Sequence, residues 1–567
     1  MALLNVRHLC INYNTPSGVV PVVKDVSFSL EKGRSIGIIG ESGSGKTTLG
    51  LCIMRLLPDN AEIAAGQIVF KDQDILSLPE DRVLELRGKK IAMIFQAAMN
   101  SLNPVQRVGN QVEEVLYTHE RKMTRSQVKE KVQVLFEDVG LSPSRIYDFP
   151  HQYSGGMKQR AVIAMALACS PDIIIADEPT TALDMTVQSQ ILEKLKEIQK
   201  EKQISIVLIS HDMSVVSEIC HDIAVVSNGR IIEYGKKEDI LSFPSHEVTK
   251  NLMQSCITLD SSRNSLNFFS DQKGFSGAAA RSQTQTSDGN GITPIVELKD
   301  VCKSYGSGRF LSRAKTGRID ALKHISIQIQ KGEIFGLVGA SGSGKTTLGR
   351  ILLKLEKPDT GRFLFNDKDA GCLKGKSLKT FRKKVQMIPQ DPYQSLNPYF
   401  SVYDSIAEPL IIHQKRRRRD CLQTISKLLK SLDLTPASDF IHRYPHQLSG
   451  GQRQKVAIAR GMVLKPEFVV ADEPTSMLDP TVSMQIFSIL VYLKEKYNVT
   501  FLFITHNIAA AHMFCDRIAV IHHGEIVEMG DCRSIIQAPK ASHTRELIDS
   551  QPGLLIKKVQ KKTSGDK

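Results

Sequence analysis

The sequence predicts an α/β protein of two tandem domains, each built around buried, mostly parallel strands. Three observations predict it. Short continuous apolar runs recur, as parallel strands covered on both faces require, and they end in the same chemistry in both halves. A glycine-rich loop follows one such run in each half: Gly40-Glu41-Ser42-Gly43-Ser44-Gly45-Lys46-Thr47, and Gly339-Ala340-Ser341-Gly342-Ser343-Gly344-Lys345-Thr346. Later landmarks repeat in register, Ser154 with Ser449, Asp177 with Asp472 and His211 with His506, each pair 295 residues apart. A chain of 567 residues is also too long for one ordinary core and fits two large ones.

Apolar content of 41% and charged content of 24% are ordinary for soluble globular protein. No apolar run approaches the ~20 residues of a membrane-spanning helix; the longest is Ala161 to Cys169. The amino terminus is too short and too polar for a signal peptide, so the chain is expected in the cytoplasm. Its ten cysteines show no metal-ligand spacing and read as scattered thiols. The net charge of +14 leaves nucleic acid and anionic lipid open as partners. The densest cluster, Lys415 to Arg419, reads as a solvated helix start or as a contact with lipid headgroups or RNA; Lys557 to Lys562 reads as part of a disordered basic tail, 548–567.

Each half opens with a strand ending in an aromatic, Val6 to Tyr13 and Ile295 to Tyr305. An alternating strand follows, Val22 to Leu30 and Ala321 to Ile329, then a buried one, Ile36 to Ile39 and Ile334 to Val338. The phosphate loop comes next, then a helix stopping near Pro58 or Pro358. The second half carries extra residues in Gly306 to Arg318, a Gly/Ser/Arg-rich stretch that reads as a longer surface hairpin. Residues 4–256 and 294–547 make the two domains. Between them 257–293 loses all periodicity and reads as a flexible linker. A coil of that length places its ends roughly 30–35 Å apart, enough for the domains to meet face to face.

G-x-x-x-x-G-K-[ST] turns backbone N–H groups inward on an anion at a helix N-terminus. Lys46 and Lys345 neutralise β/γ-phosphates there, and Thr47 and Thr346, followed by Thr48 and Thr347, offer hydroxyls to Mg²⁺ and nucleotide. The runs before Asp177-Glu178 and Asp472-Glu473 are strands ending in two carboxylates. The first carboxylate suits a Mg²⁺ shell and the second suits orienting or deprotonating water. His211 and His506 each follow another apolar strand, in reach of a γ-phosphate. Ser154-Gly155-Gly156 and Ser449-Gly450-Gly451-Gln452 each precede an apolar-periodic helix, as a cap or as an anion site.

Taken together, these motifs resemble the ATP-binding cassette ATPases over nearly all of 4–256 and 294–547. The resemblance implies two tandem phosphate-loop ATPase domains, each a mostly parallel sheet core with an antiparallel β subdomain and a helical subdomain. It implies ATP and Mg²⁺ as cofactors, held in an intramolecular head-to-tail pair. Lys46, Asp177, Glu178 and His211 would then work opposite Ser449, Gly450, Gly451 and Gln452, and Lys345, Asp472, Glu473 and His506 opposite Ser154, Gly155 and Gly156. Gln96 and Gln390 match the family's glutamine at the helical subdomain, which also ligates Mg²⁺; Tyr13 and Tyr305 match its adenine-stacking aromatic. Thr181-Ala182-Leu183-Asp184 and Ser476-Met477-Leu478-Asp479 match its interface loop.

The segments Asn100-Ser-Leu-Asn-Pro104 and Gln394-Ser-Leu-Asn-Pro398 are similar to those of oligopeptide/dipeptide importer ATPases. Those normally use two chains, one with Ser-Gly-Gly-Met and one with Ser-Gly-Gly-Gln, and the order Met157 then Gln452 looks like the two fused. Tyr153, Met157 and Lys455 depart from the commonest signature, and Cys256 and Cys532 stand alone where some relatives carry a cysteine cluster, so no iron–sulfur cluster is expected. The resemblance implies two membrane permeases, an extracytoplasmic binding protein reached through them, a peripheral place on the cytoplasmic face of the bacterial inner membrane, and no nucleic acid. Two other readings are a soluble tandem ATPase acting on ribosomes or nucleic acid, and a pair in which one site only binds ATP. The Ser/Gly-rich linker opposes the first; the presence of both Glu178 and Glu473 opposes the second.

Overall fold

A computed structural model describes residues 2–16, 18–95, 101–180, 183–256, 294–306, 319–476 and 478–551. Gln96, Asn100, Thr181, Ala182, Met477, the expected linker 257–293, most of the expected hairpin (307–318) and the tail from 552 lie outside the described residues. The chain divides into two compact units, one ending at Cys256 and the other at Gln551.

In the first unit β1 (Ala2–Thr15), β2 (Gly18–Glu31), β4 (Ala61–Phe70) and β5 (Gln73–Asp74) form an antiparallel sheet in the order β2-β1-β4-β5. The second sheet runs β10-β9-β3-β8-β7-β6, from β3 (Ser35–Gly40), β6 (Ile91–Ile94), β7 (Ile173–Asp177), β8 (Ser205–Ser210), β9 (Asp222–Ser227) and β10 (Arg230–Lys236). All its pairings are parallel except β9 with β10.

The second unit repeats this. Its antiparallel sheet is β12-β11-β14-β15, from β11 (Val296–Tyr305), β12 (Ile319–Ile329), β14 (Thr360–Phe365) and β15 (Lys368–Asp369). Its mostly parallel sheet is β16-β17-β18-β13-β19-β20, from β13 (Ile334–Val338), β16 (Val385–Ile388), β17 (Phe468–Asp472), β18 (Thr500–Thr505), β19 (Arg517–His522) and β20 (Glu525–Asp531).

The apolar runs are continuous because both faces of the parallel sheet are covered. In β3, β7 and β8, Ile36, Ile38, Ile173, Ile175, Val207 and Ile209 join the antiparallel sheet in one core. Their neighbours Ile39, Ile174, Ala176, Ile206 and Leu208 join the helices in the other. The second unit has the same two cores. Helices Val108–His119 and Arg125–Asp138 in the first unit, and Val402–Gln414 and Leu422–Ser431 in the second, stand between the sheet edge and the signature helix as a helical subdomain. No helix among the described residues is long and apolar enough to cross a membrane.

Lys415 to Arg419 bridges two helices: Lys415 caps the end of Val402–Gln414 with φ 53°, and Arg418 opens a 3-10 turn that runs straight into the helix Leu422–Ser431, so the second part of the cluster lies at a helix start. Cations are favoured at a helix C-terminus by its partial negative charge, and the charge run alone does not distinguish the two ends.

Candidate active site

β3, β8 and β7 are neighbours, so the phosphate loop, the histidine and the acidic pair leave the sheet side by side at its carboxyl ends. Such ends are where ligands collect in open α/β sheets. Gly43 and Gly45 take φ 79° and 98°, and Gly342 and Gly344 take 78° and 107°. A Cβ on Gly344 would lie 2.4 Å from the Ala321 carbonyl oxygen, so the turn admits only glycine there. Lys46 and Lys345 are buried at the start of the helices Lys46–Ile53 and Lys345–Leu352. Lys46 Nζ donates to the carbonyls of Gly40 at 2.8 Å and Glu41 at 2.7 Å, and Lys345 Nζ to those of Gly339 and Ala340, both at 2.8 Å. Each ammonium thus spans the loop whose backbone frames the anion space.

Asp177 is 1% exposed, and among the described residues neither carboxylate oxygen has a partner in good hydrogen-bond geometry, the Thr47 hydroxyl being the group beside it. Burial pushes its pKa up to about 6; the Thr47 hydroxyl opposes this, Glu178 adds to it and Lys46 counters it. Asp472 is raised in the same direction by burial and by Glu473, against Thr346 and Lys345. A buried carboxylate with orphaned oxygens beside a threonine hydroxyl is a costly arrangement for the fold alone. It fits a hard divalent cation, which takes oxygen ligands of this kind.

Glu178 and Glu473, next in sequence, lie in the left-handed region at φ 48° and 44°. That conformation costs a non-glycine residue on the order of 1–3 kcal/mol. Their N–H groups donate to the carbonyls of Ile209 and Ile504, both at 2.9 Å, which locks each glutamate against the histidine strand. His211 Nδ1 lies 2.8 Å from Glu178 Oε1, and His506 Nδ1 lies 3.1 Å from Glu473 Oε1. Gln390 Nε2 donates to Glu473 Oε2 at 2.9 Å. Burial pushes the Glu473 carboxyl up, but the His506 bond and charge, with Lys345, hold it below the usual carboxylate range. It is therefore ionised at neutral pH and free to accept a proton. The strained turn has no signature beyond two consecutive acids after a strand.

Ser154 and Ser449 cap the helices Gly155–Leu167 and Gly450–Met462, each hydroxyl accepting from the N–H three residues on at 3.3 Å. In the second half Gln452 Oε1 also accepts from the Ser449 N–H at 3.1 Å, closing a capping box. Met157 has no amide to return that bond. Met157→Gln is expected to stabilise the first unit by about 0.5–1 kcal/mol, read as a rise in its unfolding midpoint. The two glycines differ in role. A Cβ on Gly451 would lie 2.6 Å from Val482 Cγ1, and one on Gly156 2.4 Å from Val187 Cγ1, so the second glycine seats the helix on its neighbour. A Cβ on Gly450 meets nothing closer than 3.6 Å. Gly451→Ala should cost about 1–3 kcal/mol through overpacking, while Gly450→Ala should leave the midpoint nearly unchanged.

Tyr13 is half-buried with its hydroxyl 3.5 Å from Thr48 Oγ1; Tyr305 is more exposed, bonds Glu356, and has Lys303 Nζ 5.5 Å from its ring centroid. The Ser-Leu-Asn-Pro segments are turns. Leu102 and Leu396 are buried, and Asn103 and Asn397 accept from the N–H two residues on at 3.1 and 3.0 Å. In the second half the Arg453 guanidinium stacks 4.0 Å from the Tyr393 ring centroid, and Arg460 donates to the Ser395 carbonyl at 2.7 Å. These contacts fasten the segment after Gln390 to the signature helix, a connection that sequence spacing did not suggest.

The family profile described as "ABC transporter" matches residues 23–181 and 322–476, which span both phosphate loops, both acidic pairs and both signatures. The chain belongs to the ABC transporter family. ABC transporter ATPases hydrolyse ATP to drive transport, and this one carries two such domains on one polypeptide. It is 36% identical to the glutathione import ATP-binding protein GsiA of Pectobacterium atrosepticum, over 97% of this chain and 89% of that protein. It is also 36% identical, over the same shares, to the protein of that name from Escherichia coli K12. Among solved structures, a dimeric ATP-binding cassette in a post-hydrolysis state with ADP and Pi is 31% identical, covering 42% of this chain and 99% of that one, with a TM-score of 0.37.

Proposed function

We propose that this ABC ATPase energises the import of peptides or related small solutes through separate membrane permeases. The observation that carries the reading is the completeness of both halves. Each has a loop lysine, a buried aspartate with a raised pKa, and a histidine-bonded glutamate on a strained turn. The relatives named as glutathione import proteins support the import direction and a small peptide-like substrate class.

In this reading Lys46 and Lys345 bind the β/γ-phosphates. Thr47 and Asp177, and Thr346 and Asp472, with Gln96 and Gln390, hold Mg²⁺, which supplies charge neutralisation on the phosphates. Glu178 and Glu473 accept the proton of the attacking water, held by His211 and His506, which also reach the γ-phosphate. Tyr13 and Tyr305 stack on adenine. The signature residues Ser154 and Ser449 with their glycines complete the partner half's nucleotide, so the two halves act head to tail. The chain sits at the cytoplasmic face of the inner membrane, held there by two permeases that receive solute from an extracytoplasmic binding protein.

Affinity purification of the full chain from native membranes tests this. Two multi-span membrane proteins are expected with it; ribosomal proteins or RNA in their place would favour the soluble tandem ATPase.

A further inference from the structure

The nucleotide sites make no use of the basic stretch Lys415–Arg419. Part of it is held in place, with Arg416 donating to the Thr424 hydroxyl at 3.1 Å and Arg418 paired with Asp404. Lys415, Arg417 and Arg419 are exposed and form no ion pair among the described residues. A second basic element lies against the same helix end. His413, in its last turn, is held below the usual histidine range by burial and then by Lys379, Lys383 and Arg382 of the helix Gly375–Lys384. Residues 374–384 contain six lysines and arginines and no acid. Of these only Lys384 is ion-paired among the described residues, with Glu467 at 2.7 Å. Ile411 and Ile412, just before the cluster, and Leu422, just after it, are 41%, 50% and 45% exposed.

The first half differs at the equivalent place. Residues 80–90 carry four basic and three acidic side chains. Arg82 pairs with Glu85 at 3.0 Å, Arg87 with Glu80 at 2.8 Å and Lys89 with Glu120 at 3.5 Å. After its own helix Val108–His119 the first half has Arg121, Lys122 and Arg125 exposed and in no ion pair among the described residues, so what is particular to the second half is the acid-free stretch 374–384 beside its cluster.

We propose that this face of the second half binds the anionic phosphate surface of a membrane, its lysines and arginines on phospholipid headgroups and Ile411, Ile412 and Leu422 in the boundary below. Basic residues beside exposed aliphatic ones are the composition of an interfacial membrane contact. A single-stranded nucleic acid would be met by aromatic side chains for base stacking, and the three large exposed apolar residues flanking the cluster are aliphatic. The proposal takes from the transport reading only that the chain works beside a membrane; vesicles without permeases test it separately.

The experiment is co-sedimentation of the full chain with phosphatidylcholine vesicles, with and without phosphatidylglycerol. Binding is expected only to the anionic vesicles and should fall steeply with salt. Each basic residue near such a surface multiplies partitioning about fivefold, so Lys379→Gln, Lys383→Gln, Arg417→Gln and Arg419→Gln combined should weaken it by at least about a hundredfold. Ile411→Ser with Ile412→Ser should weaken it too while keeping the salt dependence. Unchanged ATPase activity in both variants shows that they fold. Equal binding to both vesicle types, equal binding by the four-site variant, or binding of polyuridylate in place of vesicles overturns the proposal.

Discussion

Replacing Glu178 and Glu473 together by glutamine is expected to lower ATP turnover by about 10²–10⁴-fold and to leave ATP binding intact. Glutamine keeps the size of the side chain and an oxygen able to meet the histidine, but not a basic carboxylate. Glu473 is the better-defined case. Its carboxyl lies below the usual range because His506 and Lys345 outweigh burial, so it is ionised at neutral pH and able to accept a proton. Both glutamates occupy a left-handed backbone conformation fixed by a bond to the adjacent strand, which sets the Cα–Cβ direction, and the histidine bond holds each carboxylate from there. Steady-state hydrolysis and nucleotide trapping check the two parts. Hydrolysis within a few-fold of the unsubstituted chain would remove both residues from the proton-accepting role.

The second large effect concerns Asp177. Its pKa rises from 3.8 in the unfolded chain to about 6 in the fold, chiefly through burial. A group raised in this way burdens the folded state above the folded pKa. The burden shrinks as pH falls from 6 towards 3.8 and is gone below that. At about 1.4 kcal/mol per unit, the penalty near pH 7.5 is on the order of 3 kcal/mol. The stability of Asp177→Asn relative to the unsubstituted chain should therefore improve by about that amount between pH 4 and pH 7.5, while hydrolysis is lost. Thermal unfolding of the first unit across this pH range, without nucleotide or divalent cation, reads it. A pH-independent difference would mean that Asp177 is not a buried, uncompensated charge. The trade of stability for a charged site is expected where a ligand later supplies the missing partner.

The path from sequence to site was short where chemistry sits at strand ends. Continuous apolar runs such as 173–176 and 206–209 can be buried on both faces only in a covered parallel sheet. Parallel strands all end on the same side, so the residues just beyond them share one edge, and the structure places Asp177, His211 and the Lys46 loop there. Met157 and Gln452 differ plainly in sequence, but the closed capping box at Gln452 and its lack at Met157 emerged only with the helix-cap geometry. The glutamate turn was not visible in sequence either, since neither propensity nor spacing reports a left-handed backbone at an acid. The Tyr393–Arg453 stack was hidden for another reason: its partners are far apart in sequence and no motif pairs them. The basic cluster covers the end of one helix as well as the start of the next, which charge alone does not report.

If both halves are complete, one chain binds two ATP molecules. Equilibrium titration of the chain carrying Glu178→Gln and Glu473→Gln with ATP and Mg²⁺ tests it most directly, because slow turnover lets bound nucleotide be counted. Two ATP molecules held per chain is the result expected. A stoichiometry of one would leave a half that binds no nucleotide and contradict it.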